Sequence, residues 1–167
     1  MKYVTAHHHL YLDVRIYDKT DELSYDLSQH LPRRLSVGPV VVVTDNPPVF
    51  LSVIRKRLTK LLYEIERQRA RTLDRQKRAG LDREAARLRT ARFTAKLGTR
   101  AIDPDVLFMS PHALVEGQPP CATLYITTLL SPEQLHTCLT MLDRTGLLVV
   151  YGEWPTSYDA VISEYRA

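Results

Sequence analysis

The chain has 167 residues, 44% of them hydrophobic and 25% charged, with a formal net charge of +4, which fits one soluble domain able to bury a core without staples. Its longest apolar runs, 146–151 and 39–43, fall far short of the roughly 20 residues that cross a bilayer, and no apolar leader opens the chain; a cytoplasmic protein without membrane contact is expected. Cys121 and Cys138 stand far apart and outside any CxxC spacing, which argues against a disulfide framework or a zinc site and predicts buried, reduced thiols.

Near the start, Leu10, Leu12, Val14 and Ile16 alternate with Tyr11, Asp13, Arg15 and Tyr17. That period of two predicts a half-buried strand with one wet face. If the face is open, its aromatic and polar residues, with His7 and His9 ahead of them, are able to stack bases; the competing expectation is that it packs under a helix. His7-His8-His9 has no partner that the sequence assigns, so no metal or other cofactor is expected. Thr20-Asp21-Glu22 then begins a helix carrying Leu23, Leu27 and Leu31, which Pro32 is expected to stop.

Residues 39–44 (PVVVVT) are apolar on both faces, as a central strand requires. Asp45-Asn46-Pro47-Pro48 follows as a cap with early prolines, launching a helix in which Phe50, Val53, Ile54, Leu58, Leu61, Leu62 and Ile65 keep a 3.6-residue rhythm. The rhythm fails over 66–80, where Leu73 is the one large apolar residue, so a continuing helix would leave the core by roughly 20 Å. Gly80 as the terminating residue and Asp82 as the next cap predict a return helix ending at Gly98. A projecting helical hairpin is therefore expected over 66–98, inserted within a single domain spanning 1–167.

Strands are next expected at 105–110 (DVLFMS) and 122–127 (ATLYIT), joined by a Pro-rich surface loop over 110–120. A helix capped by Ser131 and running to Met141 follows, then a strand at 146–151 and a short final helix near 157–165. Strands alternate with helices, which predicts an α/β fold. Its form would be an open, mostly parallel, doubly wound, flavodoxin-like sheet of about five strands. The competing layout is a four-stranded antiparallel sheet in which 105–127 form a β-hairpin.

The run VVVVTDNPPVFLSVIRKRL, followed later by PDVLFMSP, ATLYITT, SPEQLHTCLTML and TGLLVVYGEWP, resembles response-regulator receiver domains, whose first strand ends in acids followed by Asn-Pro. Thr127 matches the switch hydroxyl of that family. Thr44 stands where the first acid of the family's pair belongs, Ser110 stands at the phosphoacceptor position, and no Lys precedes Pro155. The resemblance implies a receiver-like shape without phosphotransfer.

Charge is distributed unevenly. Residues 55–100 hold 16 of the 23 Lys+Arg against five acids, about +11, leaving about −7 for the remainder. Within 67–92 lie nine Arg and one Lys: Arg67, Arg69, Arg71, Arg75, Lys77, Arg78, Arg83, Arg87, Arg89 and Arg92. Clustered guanidinium groups pair with phosphates and release counterions, so a non-enzymatic module binding DNA or RNA through phosphates is expected. One alternative is a scaffold whose hairpin docks on an acidic protein or a second copy of the chain. Another is a small hydrolase or nucleotide-binding domain using the strand-end crevice, where Asp45, Asn46, Ser110, His112, Thr127 and Glu153 would gather. In that reading Asp45 and Glu153 hold a divalent cation, and Ser110 with His112 supply a nucleophile and base, although each also suits a capping or loop role.

Overall fold

The structure, a computed structural model, describes residues 9–94, 96–97, 106–116 and 121–166. Six strands form one sheet: β1 (Leu10–Tyr17), β2 (Val40–Val43), β3 (Lys96–Leu97), β4 (Val106–Met109), β5 (Thr123–Thr127) and β6 (Leu148–Glu153). Their order is β3-β4-β2-β5-β1-β6, and every pairing is parallel. The open α/β sheet expected from the alternation of elements is thus the observed one. The β-hairpin alternative fails because β2 lies between β4 and β5. The likeness to receivers stops at the layering: the flavodoxin order 2-1-3-4-5 would place the strand ending at Val43 beyond β4, and here β1 also enters between β5 and β6.

Helices cover both faces. On one face, α1 (Thr20–Leu35), α2 (Pro47–Arg71) and α3 (Arg75–Thr94) bury Leu23, Leu27, Leu31, Ile54, Leu58 and Leu88 against Val40, Val42, Phe108 and Tyr125. On the other, α4 (Pro111–Glu116), α5 (Pro132–Leu142) and the closing segment around α6 (Asp159–Ile162) cover Leu12, Val14, Ile16, Leu124 and Ile126. Val40–Val43 is buried along its whole length, the reason a run of four valines is stable here. Ser131 starts α5 with a capping box shared with Gln134. Cys121 and Cys138 are free, and burial pushes both thiols up to about 12.

Several local expectations are corrected. Helix α1 continues past Pro32 to Leu35, at the loss of one helical N–H, and this carries Arg34 into ion pairs with Asp13 and Asp26. On α2, Leu51 is buried and Val53 exposed, the reverse of the assignment made from spacing. The turn between α2 and α3 falls at Thr72–Asp74 rather than at Gly80. The reason is local: Asp74 Oδ1 accepts from the backbone N–H groups of Gln76 (2.8 Å) and Lys77 (3.2 Å), capping α3 there. Gly80 sits inside α3, and Asp82 pairs with Arg69 instead of capping. The 110–120 segment is not all loop, since Pro111–Glu116 is helical.

Gly152 positions β6. Its φ is +130°, and a Cβ there would lie 2.1 Å from the Val14 carbonyl oxygen and 2.8 Å from Asp13 Oδ1. Only glycine allows β6 to lie this close to β1. Gly152→Ala is expected to lower stability by about 2–3 kcal/mol, measured by urea unfolding; a change under about 0.5 kcal/mol would show that the close approach relaxes freely.

Candidate nucleic-acid interface

Helices α2 and α3 pack along each other and are joined by three residues. The last buried position of α2 is Ile65, and Ala85 and Leu88 are buried on α3. The pair therefore overhangs by the six residues after Ile65, about 9 Å, half the reach expected, because α3 starts earlier and returns to the core sooner. An insertion over 66–98 is not confirmed: α2 rises unbroken from the sheet, and α3 contributes to the same core.

Lys56, Lys60, Tyr63, Arg67 and Arg71 follow one another at spacings of 4, 3, 4 and 4 residues. At 100° per residue they fall within an arc of about 80° and extend about 22 Å along the axis. The buried positions Ile54, Leu58, Leu62 and Ile65 occupy the opposite side of the helix. All five outer residues are exposed, and the Arg67 guanidinium lies 5.8 Å from the centroid of the Tyr63 ring. Lys56, Lys60 and Tyr63 were not among the candidates drawn from the sequence; the signal for them was the phase opposite to the apolar rhythm.

Arg75, Lys77, Arg78 and Arg83 are exposed on α3. Arg69 turns inward across the helix pair to Asp82, so it braces the arm. A groove of about 580 Å³ near the turn is lined by Gln68, Arg71, Thr72, Lys77, Leu81 and Glu84. Leu73, at the turn itself, is 94% exposed. Arg87, Arg89 and Arg92 lie on the second half of α3, and their side chains are outside the described residues.

The strand-end residues do not form one site. The chain leaves β2 for α2 on one face and β5 for α5 on the other, which opens a crevice between the ends of these neighbouring strands. Thr44, Asp45 and Asn46 lie on one side of it and Thr127 and Thr128 on the other. The Thr127 hydroxyl is buried without a hydrogen-bond partner among the described residues. Glu153 ends β6, three strands from β2, about 14 Å away at 4.8 Å per strand; it cannot share a cation with Asp45 and lies 3.6 Å from Arg15 instead. The Ser110 hydroxyl accepts the Ala113 N–H at 3.4 Å, a capping role, while His112 is exposed on α4. Pro47 and Pro48 remove two N–H donors from the start of α2, which weakens that helix end as a phosphate cradle.

The polar face of β1 is only partly covered by α1: Asp13 is buried and Arg15 and Tyr17 are half-buried, while Tyr11 is 62% exposed. Arg34 donates to Asp13 at 2.8 Å and to Asp26 at 3.1 Å, Arg15 donates to Asp13 at 2.8 Å, and Tyr125 donates to Asp26 at 2.8 Å. The Tyr17 hydroxyl also donates to Asp26. Burial pushes the Asp26 carboxyl up, but the donors Tyr17, Tyr125 and Arg34 outweigh it and hold the group below its ordinary value. These donors and Arg15 each meet an acceptor within the cluster, so the network reads as structural. His7 lies outside the described residues; His9 contacts the Tyr11 ring.

No protein-family model, no curated protein and no solved structure matches this chain.

Proposed function

We propose that this protein is a nucleic-acid-binding α/β module that grips phosphates with the outer surface of α2 and the first turns of α3. The observation that carries the reading is the exposed basic stripe opposite the buried face of α2, continued by Arg75, Lys77 and Arg78 beyond the turn. Between 67 and 86, seven cations face three acids, and setting aside the Arg69–Asp82 pair leaves six cations against Asp74 and Glu84. An anionic polymer neutralises the remainder, and its released counterions drive association.

Anisotropy of labelled DNA and RNA oligomers, titrated between about 50 and 300 mM salt, tests this. Micromolar or tighter binding is expected, with log K falling against log salt by about 0.9 per duplex phosphate neutralised and about 0.7 on single strands. Failure to bind any oligomer at 50 mM salt would overturn the proposal. Exposed Val49 and Val53, on the same outer face of α2 as Lys56 and Lys60, favour a second reading in which a protein partner or a second copy docks there. Concentration-dependent mass in sedimentation is its signature.

A further inference from the structure

We infer that Tyr63 is a base-stacking platform and that the arm's preferred ligand is single-stranded nucleic acid. The inference rests on the phosphate-binding reading of the arm and adds the kind of strand it takes.

Tyr63 is the one aromatic residue in the basic stripe, with Lys56 and Lys60 before it and Arg67 and Arg71 after it. Its ring is 61% exposed, and it points away from the buried positions Ile54, Leu58, Leu62 and Ile65, so the fold does not require it. An aromatic residue at a wet helix position has poorer helix propensity than Lys, Glu or Gln, and among the described residues Tyr63 is not part of the core that would compensate. It does have a planar neighbour. The Arg67 guanidinium lies over the ring, 5.8 Å from its centroid, a cation–π contact on one face of the ring that a base stacks beside or displaces.

Phosphate contacts alone do not distinguish duplex from single strand. A ring exposed between cations does, because bases stack on aromatic side chains only when they are unstacked from their own neighbours, as in single strands and loops. Cations about 10 Å before and 12 Å after the ring along α2 would hold the backbone on both sides of a base resting on Tyr63. Stacking of this kind tolerates any base, so the arm is expected to discriminate strand state rather than sequence.

The test is anisotropy with matched single-stranded and duplex oligomers, using the full chain, Tyr63→Ala and Tyr63→Phe. The wild type is expected to bind single strands more tightly than duplex at equal salt. Tyr63→Ala should weaken single-strand binding about tenfold, change duplex binding less than twofold, and leave the salt slope intact, since no cation is removed. Tyr63→Phe should bind like wild type, because the ring is kept. Equal loss on both ligands, or no loss on either, would overturn the stacking role while leaving the phosphate-binding arm in place. Absence of wild-type binding to every oligomer at 50 mM salt would instead overturn the arm's reading, and the stacking role with it. Tyr63 is exposed, so its substitution leaves the fold intact, and equal denaturation midpoints for the three proteins verify that.

Discussion

Arg34→Ala is expected to destabilise the fold by about 3–5 kcal/mol, the largest effect of any single substitution considered for this chain. Arg34 joins Asp13 of β1 to Asp26 of α1 at 2.8 and 3.1 Å, and its side chain is 13% exposed against 6% and 8% for theirs. Removing it takes the shared cation from two buried carboxylates, leaving Arg15 on Asp13 and the Tyr17 and Tyr125 hydroxyls on Asp26. Arg34→Lys keeps the charge but loses the planar fork that reaches both acids, so it should fall between wild type and Arg34→Ala. Urea unfolding decides the matter: a loss under about 1 kcal/mol for Arg34→Ala would mean that the two acids find water after all.

The same cluster contributes to the loss of stability in acid. The folded-state pKa of Asp26 lies below its ordinary value, so the unfolded chain binds its proton more readily than the folded one. The stabilisation is therefore fully present above the ordinary carboxylate range and is lost as pH falls through the folded value. Asp26→Asn should lower stability at neutral pH and flatten the decline on the acid side. Tyr17 and Tyr125 act at the other limit. Burial first, and then their bonds to Asp26, raise both phenols, so their share persists below the ordinary tyrosine pKa of about 10 and is lost as pH rises through the folded values.

The triple variant Arg67→Glu, Arg71→Glu, Arg78→Glu is expected to reduce nucleic-acid affinity about a thousandfold at low salt. Three charge-assisted contacts at about 1.5 kcal/mol each account for that loss before any repulsion is added. The salt slope should also fall by about one per phosphate contact removed. All three side chains are exposed, so folding should be unaffected. Arg69 is left untouched because its bond to Asp82 braces the helix pair. Asp45→Ala, at the strand-end crevice, is the matching control and should bind as wild type does. If the triple variant keeps its affinity but loses concentration-dependent mass, the arm is a self-association surface. If both properties persist, the stripe has no role in either.

What the sequence determined by itself was whatever depends on neighbours within a turn or a strand. Alternation over Leu10–Tyr17, the four valines of β2 and the Ser131 capping box are local patterns, and each formed where the residues place it. The parallel sheet followed from the alternation of strands and helices, because parallel strands need crossovers. The excess of Arg and Lys over 55–100 was legible as composition, and the outer stripe of α2 followed from helical phase.

Tertiary structure alone decided the rest. Asp13, Asp26, Arg34 and Tyr125 span more than a hundred positions, and only the pairing of β1 with β5 beneath α1 makes them one cluster. The face of β1 read as wet is closed at Asp13 and half-closed at Arg15 and Tyr17 for that reason, and Pro32 is overridden because the helix beyond it delivers Arg34 to two buried acids. Strand order likewise depends on distant contacts, and it separates Asp45 from Glu153 by three strands. The arm's reach is the exception, a local competition that Asp74 wins over Gly80. A side-chain cap that fixes two N–H groups outweighs the cost of about 1 kcal/mol for one glycine inside a helix, and the early start of α3 lets Ala85 and Leu88 join a core that no local pattern describes.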